Sequence, residues 1–263
     1  MDIVISAIAH RTGSTLVQRI FNRRERTIVW GEHGGALTQL AAGFAEADRF
    51  CRKGEKEKNA YLASADKSAA WTARMSPSPE HLEAAMTASV RAFLDTYYRE
   101  LRATKDLVGF KEVRYGRAEL DLVRRAYPDA GILLLVRDPV DVWRSMPAWG
   151  RSLDELIADY NRRAAEYAEL ANLPNYFLVR YEDVVQKAAP AMARLSELAR
   201  LTPAQIAEVV DGKRLRSTRH EVPAADVDRI RTECAAAMGA LGYQLRRVPR
   251  TGRGAGPMEE VTV

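Results

Sequence analysis

The sequence predicts an α/β fold, with one parallel sheet of about five strands and helices on both faces. Three observations carry this. Short apolar runs rich in β-branched residues recur at 2–8, 27–30, 107–111, 131–136 and 175–180. Segments with helical 3–4 spacing separate them, the alternation that gives parallel strands joined by right-handed crossovers. The first and fourth runs each end in a short polar stretch that leads straight into a helical pattern, the end of such a sheet where ligands bind.

The first strand, DIVISAI (2–8), runs into HRTGSTL (10–16) and then the helical VQRIFN. In a strand, tight Gly-containing loop and helix start, backbone N–H groups and the helix N-terminus cradle an anion. A nucleoside-triphosphate loop reads G-x-x-x-x-G-K-[ST]. Here Gly13 and Thr15 hold the last Gly and the hydroxyl, but Ile8 stands in place of the first Gly and Ser14 in place of the Lys. A γ-phosphate with its Mg²⁺ is poorly served without that Lys, and the basic residue comes earlier, at Arg11. The loop therefore suits a nucleotide 5′-end other than a Mg·triphosphate.

The fourth strand opens GILLLVRDPVDVWRS (131–145). Gly131 to Val136 read as a buried strand, Arg137-Asp138-Pro139 end it, and Val140 to Met146 read as a helix. Pro139 near its first position is tolerated there. A basic residue at the strand end followed by a helix carrying Ser145 makes a second anion site. The fifth strand, in FLVRYEDVV (177–185), ends in Arg180, Tyr181, Glu182 and Asp183.

Together these segments resemble the sulfotransferase family that uses 3′-phosphoadenosine 5′-phosphosulfate (PAPS) as donor. The first loop is similar to that family's 5′-phosphosulfate loop, LLLVRDPVDVWRSM to its 3′-phosphate motif, and VRYEDVV to its RYEDL segment. GFKEVRY (109–115) is similar to the strand that carries a cofactor Lys, and the 26 residues from Lys111 to Arg137 suit that placing. The tail CAAAMGALGYQ (234–244) resembles the family's last helix. The fold implied is the sulfotransferase variant of the P-loop NTPase-like sheet.

The resemblance implies a division of labour. The cradle is Arg11, Thr12, Gly13, Ser14 and Thr15, with Arg11 where the family often has Lys and His10 where it often has Pro. Arg137, Ser145 and Tyr181 serve the nucleotide, with Lys213, Arg214 and Arg216 as candidates in a late basic loop, 211–222. Lys111 is the cation at the bridging or leaving oxygen. For the base, cytosolic aryl and alcohol sulfotransferases place a His two residues after the strand Lys, and here that position is Val113. The tyrosylprotein branch uses a Glu in a turn after the second strand, and TIVWGEHGGAL (27–37) has Gly31 and Glu32 in the matching place. A partly desolvated carboxylate can accept a proton near neutrality, so Glu32 is the expected base. His33 is its rival, because an imidazole is intrinsically closer to the task. Gly34-Gly35 also allow a purely structural turn. Glu112 and Arg114 fall on the sheet face opposite Lys111 if the strand persists, and Glu112 could orient Lys111. His81 and His220 are expected at the surface.

Composition narrows the class. The chain has 263 residues, 47% hydrophobic and 29% charged, enough for one full globular core. The single α/β domain is expected over 1–248, with a helical cap around 36–105 that shapes the acceptor pocket and a mobile tail at 249–263. Within the cap a helix, a solvated loop at the charge run 52–59 and a covering segment are expected; a regular helix is expected at 80–101 and another at 153–171. The net charge of +5 is scattered, without an aromatic-interleaved basic stripe, so no nucleic acid partner is expected. No apolar stretch approaches the roughly 20 residues needed to span a bilayer. No leader is read before the first strand, and Cys51 and Cys234 lack metal-ligand spacing, so a cytoplasmic protein with free thiols and no bound metal is expected. The expected activity is sulfuryl transfer from PAPS to a hydroxyl acceptor of unstated class. The alternatives are a small-molecule kinase, which a Mg²⁺ requirement would favour, and a non-catalytic nucleotide-binding protein on the same scaffold. Oligomeric state is not legible.

Overall fold

A computed structural model describes residues 1–69, 71–146, 151–212 and 220–244. Five strands form one sheet: β1 (Ile3–Ala7), β2 (Thr27–Trp30), β3 (Leu107–Val113), β4 (Gly131–Val136) and β5 (Tyr176–Arg180). Their order is β2-β3-β1-β4-β5 and every neighbouring pair is parallel. Parallel sheets are covered on both faces, so their strands read as unbroken apolar runs, and all five residues of IVISA in β1 are buried.

The helices are α1 (Ser14–Asn22), α2 (Ala36–Ala63), α3 (Pro79–Tyr97), α4 (Arg117–Ala126), α5 (Pro139–Arg144), α6 (Leu153–Leu170), α7 (Tyr181–Val185), α8 (Ala189–Ala199), α9 (Pro203–Asp211), α10 (Ala224–Glu233) and α11 (Ala235–Ala240). Their starts are written locally. Ser152 Oγ accepts the N–H of Glu155 while the Glu155 carboxylate accepts that of Ser152, closing the first turn of α6. Thr202 and Gln205 do the same for α9.

Side chains alternate across each strand, and this divides the core in two. Val4, Phe110, Ile132 and Leu134 meet Leu94, Leu120, Tyr160 and Tyr167 of α3, α4 and α6. Ile3, Ile5, Leu133 and Leu135 meet Val17, Ile20, Phe21, Leu195 and Ile206 of α1, α8 and α9. Each such fully buried side chain contributes about 1.5–3 kcal/mol. At Gly109 of β3 an added Cβ would lie 2.1 Å from the Ile3 carbonyl oxygen, so this central pairing has no room for a side chain.

Three expectations need correction. β3 continues two residues past Lys111, to Val113, because Glu112 and Val113 pair with Ser6 and Ala7 of β1. The charge run 52–59 is not a loop but part of the 28-residue α2, whose Glu and Lys side chains suit an exposed helix face. The helix expected over 80–101 stops at Tyr97, and a short 3₁₀ turn at Arg102–Thr104 leads into β3. Helices α2 and α3 lie between the neighbouring strands β2 and β3, and both pack on α4. Lys213, Arg214, Arg216 and the tail 249–263 lie outside the described residues.

Candidate active site

The carboxyl ends of all five strands deliver the candidate residues among those described to one edge of the sheet. After β1 the chain turns through Arg11, a non-glycine at φ +64°, and Gly13 at φ +97°. Gly13 caps α1, and the N–H groups of Gly13, Ser14 and Thr15 meet no acceptor among the described residues. The side chains divide. Thr15 and Arg11 are exposed and Ser14 is buried. Thr12 is fully buried; its hydroxyl donates to the Ala9 carbonyl at 2.6 Å and so closes the turn rather than facing outward.

Two of the residues read as nucleotide ligands, Tyr181 and Arg137, lie against the loop. A Cβ on Gly13 would lie 2.3 Å from two ring carbons of Tyr181, so the phenol covers the bare glycine. Arg137 stacks over the same ring, with its guanidinium carbon 4.6 Å from the centroid, and donates from Nη1 to the Arg11 carbonyl at 2.8 Å. Its Nε is buried without a partner among the described residues. Ser145 lies at the end of α5 with its hydroxyl turned back on the Asp141 and Val142 carbonyls, at 2.9 and 3.1 Å.

At the end of β3 the alternation separates two charges. Lys111, only 8% exposed, lies on the α1 side, and its ammonium forms an ion pair with Glu32, half-exposed in the turn after β2. Glu112 is on the opposite face and 2% exposed. Its Oε2 accepts the N–H groups of His33 and Gly35 at 3.0 and 3.1 Å, and Oε1 accepts that of Val113 at 3.0 Å. The turn 31–35 is thus fastened to β3 by a buried carboxylate, and Gly34 and Gly35, at φ +71° and +72°, supply the left-handed backbone that brings those N–H groups together.

His33 points away from this edge. Its side chain is 1% exposed, packed against Phe110 with ring centroids 5.0 Å apart. Tyr98 OH donates to the Gly31 carbonyl, which leaves it to accept from His33 Nδ1 at 2.7 Å; Nε2 then accepts from Tyr115 OH at 2.5 Å. Burial holds this imidazole below its usual pKa, against the opposing pull of Glu112. Both ring nitrogens, one of them expected to serve as the rival base, are engaged internally by Tyr98 and Tyr115.

Sequence reasoning missed Arg163. This guanidinium, 4% exposed, reaches from α6 to the Ile8 carbonyl at 3.3 Å and the Arg114 carbonyl at 3.1 Å, while Asp159 balances its charge at 3.1 Å. Burial raises the Asp159 carboxyl, but Arg151, Arg163 and Arg162 outweigh it and hold the group at about 2. One side chain therefore ties together the ends of β1 and β3. The only sequence signal was a charged residue on the apolar stripe of α6.

Between these strand ends and the start of α2 opens a cleft of about 430 Å³ lined by His10, Glu32, Thr38, Gln39, Arg114 and Arg162 among others. Burial first, and then the Arg114 charge, lowers the His10 pKa to about 4. No group of three or more His, Cys, Asp or Glu among the described residues could hold a metal ion.

A parallel five-stranded sheet with a glycine-capped loop running from β1 into α1 at its carboxyl edge defines the class, a P-loop-like α/β fold. A profile of the Sulfotransferase family matches residues 7–204, and the chain belongs to that family. Solved structures agree on the fold. The sulfotransferase domain of the Synechococcus PCC 7002 olefin synthase superposes with a TM-score of 0.54 at 16% identity, covering 94% of this chain and 96% of that one. The sulfotransferase domain of the curacin biosynthetic pathway gives 0.52 at 14% identity, with 93% and 99% covered. A sulfotransferase from Alicyclobacillus acidocaldarius gives 0.50 at 14% identity, with 92% and 94% covered. No curated protein sequence matches the chain. No helix among the described residues is long and apolar enough to cross a membrane.

Proposed function

We propose that the protein is a PAPS-dependent sulfotransferase that acts on a hydroxyl acceptor, with Glu32 as general base. The observation that carries this is the Lys111–Glu32 pair at the end of β3, beside a phosphate loop that lacks the nucleotide-triphosphate lysine. The residues present fit such a donor. The free N–H groups of Gly13, Ser14 and Thr15, with the exposed Thr15 hydroxyl and Arg11, form a cradle for an anionic 5′-end. Arg137 and Tyr181, which touch that loop, would serve the remainder of the nucleotide, with Ser145 contributing from the end of α5.

PAPS, when bound, supplies an activated sulfuryl group whose transfer is loose and in line, like phosphoryl transfer, so the protein mainly positions groups and stabilises charge. Lys111, almost buried, stabilises negative charge developing on the leaving oxygen. Glu32 takes the proton from the acceptor hydroxyl at its carboxylate. The Glu32–Lys111 pairing keeps the carboxylate aimed at the strand end. The reading calls for no metal ion, and the two free buried cysteines suit a reducing compartment such as the cytoplasm. Helices α2 and α3 and the segment between them act as the cap that walls the acceptor side.

The test is calorimetric titration with 3′-phosphoadenosine 5′-phosphate (PAP), beside ATP with and without Mg²⁺. Micromolar metal-free binding of PAP with weak ATP binding supports the donor. Preference for Mg·ATP sinks the reading in favour of a kinase.

A further inference from the structure

The proposed transfer leaves Arg114 without a task, yet its placement is closely specified. It follows directly on β3, is exposed, and holds φ at +67°, a left-handed conformation that an arginine rarely adopts. Bonds on both sides of the residue fix it there. Its N–H donates to the Ala7 carbonyl at 2.7 Å, and its own carbonyl accepts from the buried Arg163. Backbone strain over-determined in this way collects at functional sites.

The other charges that line the cleft are matched. Glu32 pairs with Lys111, Glu112 accepts three N–H groups, and Glu119 accepts the N–H of Gly116 at 2.9 Å. Arg162 pairs with Asp159 and Glu166, and Arg163 with Asp159. The Arg114 guanidinium has no hydrogen bond or ion pair among the described residues. It faces the same cleft as Glu32, and its charge reaches His10 there. Among the described residues Val113 is the one apolar side chain in the lining, beside Thr38, Gln39 and the bare backbone of Gly34 and Gly35. At about 430 Å³ the cleft is at the small end of ligand sites. An arene or sterol would find a single apolar side chain, Val113, to pack on, whereas an anion would find a forked, unpaired set of donors.

We propose that the acceptor is a small, polar hydroxyl compound carrying an anionic group, with Arg114 binding the anion while the hydroxyl meets Glu32. This rests on the sulfuryl-transfer reading and names the acceptor class for the same site. The anion is a carboxylate or a phosphate, which present the same oxygens to the guanidinium.

The test uses the full chain, PAPS and three probes on one scaffold: glucose, glucuronate and glucose 6-phosphate. Release of PAP gives kcat/KM for each, and saturation-transfer NMR in the presence of PAP gives relative binding. One anionic probe should exceed glucose by about tenfold or more, and which one does so distinguishes carboxylate from phosphate. Arg114→Asn, which tolerates the left-handed backbone, should reduce that preference to near parity, and Arg114→Lys should keep part of it. A PAP titration of each variant reports whether the donor site has folded. Equal use and equal binding of the three probes, or no binding of either anionic probe at 10 mM, overturns the proposal. So does a rise in the PAPS KM of Arg114→Lys with the acceptor preference intact, which would place Arg114 on the donor. Failure of the wild-type chain to bind PAP would instead sink the transfer reading itself.

Discussion

Glu112 Oε2 accepts the backbone N–H of His33 at 3.0 Å, and through that bond the turn bearing Glu32 is fixed to the strand bearing Lys111. A carboxylate with three N–H partners has no room for a donor. Glu112→Gln should therefore leave one of those buried N–H groups unmatched, at a cost of about 1–3 kcal/mol. The expected outcome is a lower Tm together with a lower kcat at unchanged PAPS KM. A lower Tm with kcat intact would make Glu112 a purely structural residue.

Glu32→Gln keeps the shape of the turn and removes the proton acceptor. Turnover should fall roughly 10²–10⁴-fold, while PAP still binds. Steady-state rates near those of the unmodified protein would remove Glu32 as base.

Lys111→Ala removes the nearly buried cation at the strand end. If it stabilises the leaving oxygen, kcat should fall about 10²–10³-fold. The pairing of Lys111 with Glu32 makes the two substitutions non-additive, so a double variant should lose less than the product of the two losses.

Gly13→Ala tests the contact between the donor loop and Tyr181. The new methyl would sit 2.3 Å from the phenol ring at a residue with φ +97°. Backbone strain and displacement of the ring should together cost about 1–3 kcal/mol or more, read as a lower Tm and weaker PAP binding. Adding Tyr181→Ala should relieve the steric part and leave the strain. A tolerated single substitution would mean that the ring does not cover the loop.

His10 sets a pH dependence. Its pKa lies near 4 in the folded protein, below the ordinary histidine value of about 6.5, so the unfolded chain binds more protons between the two. Stability from this group is fully present above about 6.5 and is lost as the pH falls towards 4. The buried His33 acts in the same sense. Thermal melts should therefore show Tm falling across this window, and His10→Gln should flatten the slope without abolishing it. An unchanged slope would mean that His10 is not held neutral.

The sheet was legible because parallel strands are written as apolar runs, and the five runs match β1 to β5 to within two residues. The end of β3 was not, because Glu112 reads as a polar stop. Only the partner turn, 79 residues away in sequence at His33, shows why a carboxylate can be buried there. The run at 52–59 misled for the opposite reason, since Glu and Lys favour both solvated loops and exposed helix faces. Local motifs singled out Glu32 and Lys111 separately, and the fold brings the two together as an ion pair. Arg163 and the inward turn of His33 depend on side chains brought together by the fold, to which no local spacing points.

The opposed faces of Lys111 and Glu112 also bear on how this gene can vary. One residue inserted or deleted between Leu107 and Lys111 would shift the register and exchange every side chain across the sheet. The carboxylate would then come to the ammonium's side of the sheet, and the turn would lose its anchor at the same stroke. The segment between α2 and α3 carries no such parity, and an odd number of inserted residues there leaves every strand in register. Length variation among natural or engineered versions of this chain should therefore be common in 64–78 and confined to pairs of residues, or absent, within β3.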